Sequence, residues 1–383
     1  MTNKGILLTA ATACLILSST AKADAPPMPS MTGPLAGNSN PLSFDTDSAL
    51  GKVYVTGAAT AIGLEQSHAV VNNKNSYADV SNAQLFVQNT DGPVQFFLEG
   101  GAYSIPDLGT AYLRMDKTTG DTYGVVPQGY LKFAPNSSFS VEAGKLPTLF
   151  GAEYTFTFEN MNIERGLLWN QENAVNRGVQ ANYTQGPLAL SLSWNDGFYS
   201  NRYNWVSGAA TYTIDSADTL EVVAGGNLGH TAFSSYVTPQ AQNNSSIYNI
   251  IYTRTTGPWT FNPYLQYTHV PQDATIGLNH ASSTYGAAFL AKYAFDVNFS
   301  LASRVEYIGS TGSVANGAPN LLYGQGSRAW SLTVTPTYQY KNYFGRVDAS
   351  YVGTSGTTAG DAFGSNGSDT SQGRLMLETG ILF

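Results

Sequence analysis

Charged side chains are concentrated in one segment near the middle of this 383-residue chain. Its charged members are Lys145, Glu153, Glu159, Glu164, Arg165, Glu172 and Arg177. Aromatic residues such as Phe156 and Trp169 are interspersed among them. Opposite charges at close range can form ion pairs that fix a loop to its surroundings, or they can set a transverse field that selects solutes by charge and size. A segment this charged and this aromatic is expected to pack against another surface.

A second set of charges lies at alternating positions of the C-terminal part of the chain. Its members are Arg304, Glu306, Lys341, Arg346, Asp348, Arg374 and Glu378. Alternate residues of a strand point to one face, so these side chains are expected to share one face of neighbouring strands. They are expected either to form a polar wall that guides solutes or to pair across strands, with roughly a few tenths of a kcal/mol per pair.

Hydrolytic chemistry would require a base beside a nucleophile, and few residues offer one. The four histidines are His68, His230, His269 and His280, and all fall in or beside predicted links between strands. His269 follows Tyr267 on the same strand face and could serve a barrel phospholipase as its base. No Gly-x-Ser-x-Gly motif connects it to a particular serine, so no catalytic residue is predicted.

Metal, cofactor and nucleic-acid binding find no support in the composition. Cys14 is the only cysteine, and the net charge of −8 argues against a nucleic-acid partner. Asp361, Asn366 and Asp369 carry oxygen ligands, but their spacing does not match a Ca²⁺ loop. Glycine-rich phosphate-binding motifs are absent. The sequence therefore predicts no metal site and no cofactor.

Strands are the elements that must position these residues. Large apolar residues alternate with small or polar ones, as in 187–195, where leucines and a tryptophan alternate with alanine, serine and asparagine. Sixteen strands are predicted, near 51–62, 79–89, 93–104, 123–134, 138–146, 176–184, 187–195, 203–214, 218–229, 246–256, 258–270, 283–296, 298–308, 328–341, 343–353 and 371–383.

The links between the predicted strands alternate strictly between short and long. The long ones are 63–78, 105–122, 147–175, 196–202, 230–245, 271–282, 309–327 and 354–370. This alternation is typical of an up-and-down antiparallel β-barrel that crosses a membrane, with tight turns on one side and long loops on the other. The fold class is therefore predicted as all-β.

The two faces of each predicted strand have different environments. Only 11% of the residues are charged, and a barrel of about sixteen strands is too wide for side chains to fill. The apolar face is therefore expected to meet lipid, and the polar face is expected to line the lumen. The last strand alternates from Leu375 to Phe383 and resembles the terminal strand of a bacterial outer-membrane β-barrel. The resemblance implies that Phe383 is the signal that the barrel-insertion machinery reads.

The N-terminal part differs from the predicted barrel, residues 51–383. Lys4, the apolar run Gly5–Leu17 and small residues around Ala23 are typical of a signal peptide, predicted as 1–23, with Ala25 as the alternative cleavage point. Residues 24–50 are rich in Pro, Ser, Gly and Asn and are predicted to be a flexible periplasmic segment.

Three stretches resemble the OmpL-like β-barrel porin-2 family of bacterial outer-membrane proteins. They are Gly144–Glu153, Asn160–Gly166 and Asn176–Gln180. The resemblance implies a pore in which loop 147–175 folds inward and narrows the lumen. The charged residues of the central segment would then form the constriction, and those of the last strands would form the lumen wall.

The expected function is that of a porin in the outer membrane of a Gram-negative bacterium. Small hydrophilic solutes and ions would diffuse passively through a water-filled lumen. Expected partners are the outer-membrane lipids, the insertion machinery and the solutes, and a homotrimer is an open alternative to a monomer. Two other functions stay open: a phospholipase-like barrel enzyme, and a structural or adhesive barrel with a plugged lumen.

Overall fold

The computed structural model describes residues 35–46 and 50–383, which form one closed antiparallel barrel. A short additional strand pairs with the start of the first barrel strand. The added strand is β1 (Leu42–Asp45). The barrel strands are β2 (Lys52–Gln66), β3 (Ser76–Asn89), β4 (Val94–Tyr103), β5 (Gly129–Phe133), β6 (Phe139–Pro147), β7 (Val175–Gln185), β8 (Leu188–Asn195), β9 (Trp205–Thr213), β10 (Asp218–Asn227), β11 (Ser246–Thr256), β12 (Trp259–Val270), β13 (Ser282–Ala294), β14 (Phe299–Ser310), β15 (Arg328–Tyr340), β16 (Tyr343–Ser355) and β17 (Ser371–Leu382).

The barrel closes between its first and last strands. Each strand from β2 to β17 pairs with the next one in sequence, and β17 pairs with β2 from Arg374 opposite Gln66 to Leu382 opposite Ala58. The terminal Phe383 exchanges two backbone hydrogen bonds with Gly57, at 2.7 and 2.9 Å. Closure leaves no open edge in the region that lipid surrounds. The predicted sixteen-stranded, up-and-down barrel is confirmed.

The two faces of the strands are oriented as the alternation predicts. In β8, Leu192 and Trp194 are 61% and 58% exposed, whereas the intervening Ser193 is 2% exposed. The same contrast recurs around the barrel, since large apolar side chains are exposed on the outside and polar ones are buried on the inside. The outer face therefore presents an apolar surface to lipid, and the inner face is polar.

The fourth predicted strand, 123–134, is wrong in its first half. Only Gly129–Phe133 form strand β5. Gly124 has a positive φ of 74°, and Pro127 lacks the N–H that a paired strand would need. The preceding link instead contains the helix α1 (Met115–Asp121), which the alternation does not reveal. Strands β2 and β3 extend into the link predicted at 63–78, so that link is shorter than expected.

The N-terminal segment is described only in part. The predicted signal peptide 1–23 and residues 24–34 lie outside the described residues, as do 47–49. Within the segment predicted to be flexible, β1 pairs with the start of β2, Leu42 opposite Val55. Leu35 is 4% exposed, and the backbone of Ala36 exchanges two hydrogen bonds with the inward-facing Gln339, each 2.8 Å long. Residues 35–45 therefore lie against the end of the barrel that carries the short turns.

Helical elements in the described part of the chain are short and lie in the long links. Besides α1 they are α2 (Gln240–Asn243) and the 3₁₀ turns Thr157–Glu159, Trp169–Gln171, Ala274–Ile276 and Val314–Asn316. Within the described ranges, no helix has both the length and the apolar character needed to cross a membrane.

Candidate functional site

The long link between β6 and β7, here called the inner loop (residues 148–174), lies inside the barrel. The loop contacts inward-facing residues on opposite sides of the lumen, since the Thr157 hydroxyl accepts a hydrogen bond from Asn82 of β3 and the Gly151 N–H donates one to Asn249 of β11. Phe156, Ile163 and Leu168 in this loop are all 0% exposed. Such complete burial in a polar barrel requires that the wall satisfy the hydrogen-bonding groups of the loop.

Arg304 of β14 is the centre of the largest ion-pair cluster on the wall. It donates from Nη1 to Glu153 Oε1 at 2.5 Å and to the Glu164 carbonyl oxygen at 2.7 Å. Its Nε donates to Glu306 Oε2 at 3.1 Å. The side chains of Arg304, Glu153 and Glu306 are all almost completely buried. One guanidinium thus pairs with a carboxylate of the loop and a carboxylate of the wall.

A second ion pair lies on the last two strands of the wall, β16 and β17. Arg346 of β16 and Glu378 of β17 are direct cross-strand partners, with two N–O distances of 2.8 and 2.6 Å. Arg346 also donates to the carbonyl oxygens of Asn160 and Thr157, at 2.9 and 2.5 Å. The Thr157 hydroxyl donates to Glu378 at 2.5 Å. This cross-strand pair therefore holds the loop as well as the wall.

Two wall carboxylates hold the loop through its backbone. Asp348 Oδ2 accepts hydrogen bonds from the N–H groups of Ile163 and Glu164, at 2.8 and 3.0 Å. Glu306 Oε2 accepts one from the N–H of Leu167 at 3.0 Å. Hydrogen bonds to an ionised acceptor are stronger than neutral ones. These bonds fix the path of the loop independently of its side chains.

Arg374 of β17 connects the inner loop to the preceding long link. It donates to Glu164 Oε1 at 2.7 Å and to Gln66 Oε1 at 2.8 Å. The same guanidinium donates to the carbonyl oxygens of Asp107 and Thr110 in the link 104–128. Arg374 therefore joins wall, inner loop and outer link at one point.

Arg165 and Asp107 form the direct contact between these two links. The Arg165 Nε donates to Asp107 Oδ1 at 3.4 Å, and the backbones of Pro106, Arg165 and Leu108 exchange hydrogen bonds of 3.1 and 2.9 Å. Burial raises the pKa of Asp107 to about 6, and the adjacent Arg165 guanidinium opposes that rise. The Arg165 guanidinium also lies 5.7 Å from the ring centroid of Trp169.

Aromatic packing holds the loop on the remaining sides of the lumen. Phe158 lies 5.9 Å from Phe86 of β3, and Phe156 lies 5.1 Å from Tyr103 of β4, measured between ring centroids. On the opposite side, Phe150 lies 6.4 Å from Trp205 of β9. The loop thus crosses the barrel interior, with ion pairs on one wall and aromatic contacts on the others.

Three residues predicted for the constriction or the lumen wall lie elsewhere. Lys145 and Arg177, paired across β6 and β7, are on the outward-facing positions of those strands. Lys145 donates to carbonyl oxygens of 123 and 126, and Arg177 pairs with Asp196 at 2.7 Å and lies over the Tyr199 ring. Lys341 is exposed in the turn after β15. Charge alone does not reveal the strand face, whereas the parity of the neighbouring apolar residues does.

The two other predicted loop acids, Glu159 and Glu172, are buried as well. Glu159 accepts a hydrogen bond from the N–H of Phe156 at 2.9 Å. Glu172 accepts a hydrogen bond from the hydroxyl of Tyr264. Burial raises the pKa of Glu172 well above its usual range, and the nearby Glu153 and Glu306 carboxylates add to this rise.

Several inward-facing charges were not predicted from the sequence. Lys132 of β5 and Glu142 of β6 form a buried pair at 3.3 Å, and Glu99 of β4 accepts a hydrogen bond from Gln84 at 2.5 Å. All of them occupy the face opposite the apolar residues of their strands. They could have been found by assigning to the lumen every residue that alternates with the apolar positions of its strand. Asp107 lies in a link between strands, where no such alternation exists.

A cavity of about 590 Å³, here called the outer vestibule, lies above the inner loop. Its walls come from the long links, including Val70, Tyr236, Tyr323 and Asp361, and its floor includes Trp169 of the inner loop. The cavity therefore lies on the side of the barrel opposite to the short turns.

The structure gives His269 a serine neighbour. His269 Nδ1 and Ser283 Oγ, on paired positions of β12 and β13, are 2.9 Å apart. The Tyr267 hydroxyl contacts the same serine oxygen at 3.0 Å. Among the described residues, no carboxylate or amide side chain contacts the other ring nitrogen of His269 in the way that a triad requires.

No metal site is found in the described part of the chain. Nowhere in residues 35–46 and 50–383 do three His, Cys, Asp or Glu side chains come together in a way that could hold a metal ion.

The fold and the docked inner loop define a class of outer-membrane β-barrel, the porins. Residues 52–383 match the OmpL-like β-barrel porin-2 family, and the chain belongs to this family.

Solved structures with the same fold have little sequence identity to the chain. In-vitro folded OmpT, an outer membrane protein of Vibrio cholerae, is 12% identical with a TM-score of 0.59, covering 88% of this chain and 99% of that one. OprB of Pseudomonas putida is 10% identical with a TM-score of 0.56, covering 86% and 94%. A structure titled as a porin is 11% identical with a TM-score of 0.51, covering 86% and 100%. No curated protein is significantly similar in sequence to this chain.

Proposed function

We propose that this porin lets small hydrophilic solutes and ions diffuse passively across the outer membrane of a Gram-negative bacterium. The observation that carries the proposal is the inner loop, which is fixed across a polar lumen by the Arg304 and Arg346 clusters. A loop held in this way would set the width of the path while the rest of the wall stays polar. The proposal includes no catalytic step and no cofactor.

The charge arrangement supports weak rather than strong ion selectivity. The wall arginines each pair with a carboxylate, and Lys132 pairs with Glu142. A paired charge contributes little net field at a distance, so the uncharged inward-facing polar side chains would govern passage. The size of a solute would then affect its passage more than its charge does, in contrast to a pore with opposed unpaired charges.

Planar-bilayer recording of the refolded mature protein tests this function. We expect steady ohmic steps and a small reversal potential under a salt gradient. Absence of steps, from protein that circular dichroism shows to be folded β-structure, would contradict the proposal and favour the plugged, structural or adhesive barrel.

A homotrimer is the second part of this proposal. One similar structure is described as the trimer form of Vibrio cholerae OmpT, with 12% identity and a TM-score of 0.57. Sedimentation in a buffer whose density equals that of the detergent would report the mass of the protein assembly. A monomeric mass under mild extraction conditions would contradict it.

A barrel hydrolase remains a second candidate because His269 and Ser283 lie within hydrogen-bonding distance on the outer half of the barrel. Such a pair could generate a nucleophile at the lipid surface. Lipid hydrolysis that His269→Ala and Ser283→Ala both abolish would favour this candidate over the pore. Equal background rates for wild type and both variants would eliminate it.

A further inference from the structure

The floor of the outer vestibule contains buried polar groups without a partner. Trp169, Gln171 and Glu172 all line the cavity and are 8%, 1% and 6% exposed. The Trp169 Nε1 donor, the Gln171 Oε1 acceptor and the Glu172 Oε2 atom have no hydrogen-bond partner among the described residues. Buried polar atoms are normally paired, and each unpaired one costs free energy. These atoms are almost inaccessible from the cavity, so a ligand there would pair with them after the three side chains turn toward it, and such a ligand is favoured at this position.

The charges around the cavity argue against an anion. Asp107, Glu172 and Asp361 line it, and no lysine, arginine or histidine does. An anion would meet these carboxyl groups with no cation among the lining residues.

The charges below the floor argue against a cation. The Arg165 guanidinium lies 5.7 Å from the centroid of the Trp169 ring, so this ring already has a cation nearby. Arg374 donates to the carbonyl oxygens of Asp107 and Thr110. Both guanidinium groups pair with carboxylates, Arg165 with Asp107 and Arg374 with Glu164, which reduces the attraction of those carboxylates for a second cation. Burial favours the neutral form of Glu172, which reduces its attraction for a cation as well.

We propose that the outer vestibule binds a neutral polyhydroxylated solute of about disaccharide size before that solute passes the inner loop. A hydroxyl group both donates and accepts, so one ligand can satisfy the Trp169 donor, the Gln171 acceptor and the Glu172 carboxyl oxygen. Tyr123, Tyr323 and Trp169 add apolar surface for the C–H face of a sugar ring. The volume of about 590 Å³ falls within the ~300–1,000 Å³ of small-molecule sites. This inference deepens the proposed diffusion function by naming its solute class.

Titration calorimetry on the folded mature protein in detergent tests the binding site. The probes are maltose, choline and acetate, which represent a neutral polyol, a cation and an anion. We expect saturable heat with maltose alone. No saturable heat with maltose, or equally tight binding of choline or acetate, would overturn the proposal.

Matched variants locate the binding. Trp169→Phe keeps an aromatic ring but removes the N–H, and it should weaken maltose binding at least fivefold. Trp330→Phe changes a tryptophan on the lipid-facing side, 49% exposed, and should leave the affinity unchanged. Glu172→Gln retains a donor and an acceptor and should bind nearly as wild type, whereas Glu172→Leu should not bind. Equal affinity in Trp169→Phe and wild type would place the site elsewhere and overturn the proposal.

Bilayer recording separates this inference from the function on which it rests. Calorimetry needs no conduction, so maltose binding without channel steps would support the site and contradict the diffusion function. Channel steps without maltose binding would support diffusion and overturn the site.

Discussion

At the scale of single residues, Arg304 differs from the other wall arginines described above because it pairs with two carboxylates. It joins the carboxylates of Glu153 and Glu306 and the Glu164 carbonyl oxygen with a fully buried guanidinium. Charges buried in this way are costly to leave unpaired. The net contribution of these ion pairs to stability is therefore expected to be smaller than the cost of removing Arg304, which would leave two buried carboxylates unpaired.

Replacing Arg304 by methionine should destabilise the docked loop strongly. The change leaves two buried carboxylates without their cation, a loss of about 3–5 kcal/mol for a buried pair. We expect a lower midpoint of urea unfolding in lipid vesicles and a larger, noisier single-channel conductance.

Arg254→Met is the matched control for Arg304→Met. Its pair with Asp218, at 2.9 Å, involves an arginine side chain that is 47% exposed, and exposed pairs contribute about 0–1 kcal/mol. Equal losses in the two variants would show that the Arg304 cluster has no special role.

The contact between Asp107 and Arg165 should depend on pH. Burial raises the pKa of Asp107 to about 6, from an ordinary value of about 3.9. The docked link then binds more protons than the undocked one between these values, so docking is strongest below about pH 4 and weakens as pH rises through about 6. Trypsin cleavage at Arg114, whose side chain is 59% exposed, should speed up over that window. Relative to the cleavage of a peptide substrate, which reports the pH dependence of trypsin itself, the rate in Asp107→Asn should be independent of pH over the same range. A wild-type pH profile in that variant would contradict the assignment.

At the scale of elements, alternation of apolar and polar residues was enough to predict sixteen strands. It succeeded because every membrane-spanning strand faces lipid on one side and the lumen on the other. It failed at residues 123–128, where Gly124 and Pro127 interrupt the regular strand. It also missed α1, because seven residues are too short a segment for a helical pattern of apolar residues to be recognised. The partners of the inner loop could not be predicted, since Arg304 and Glu153 are 151 positions apart in the chain.

The orientation of β8 gives a test with adjacent residues. Leu192→Arg places a charge on the lipid face and should cost about 2–4 kcal/mol of barrel stability. Ser191→Arg points into the lumen, where the serine hydroxyl now contacts Asn182 at 2.8 Å, and should cost much less while lowering conductance. Urea unfolding in vesicles measures both, and equal stability losses would mean that the assigned faces are wrong.

At the scale of the whole molecule, the barrel depends on one seam between β2 and β17. Phe383 completes it, and its ring packs against Gly57: a Cβ at that glycine would lie 2.5 Å from the phenylalanine Cζ. The prediction that Phe383 is the insertion signal is a separate matter and stays a prediction.

The seam can be tested with two glycines of the same strand. Gly57→Ala should displace the Phe383 ring and lower the fraction of protein that folds into vesicles, as read from its mobility on unheated gels. Gly63→Ala should fold like wild type because a Cβ there meets nothing within 4 Å. Similar folding of both variants would show that the fit of Phe383 against β2 is not required for closure.

The edge of β2 that receives β17 also receives β1, so both ends of the described chain meet on one strand. Gln66 and Arg374, which lie across the seam, are 308 positions apart in the chain. Contacts this distant in sequence form slowly, and the seam cannot form until β17 has been synthesised. Until then, β1 can cover only the first residues of that edge, Lys52–Val55. An unfinished chain would therefore keep the rest of β2 unpaired, and lipid cannot satisfy those backbone groups. The pairing of β2 with β17 is thus a condition for entering the membrane that the fold itself imposes.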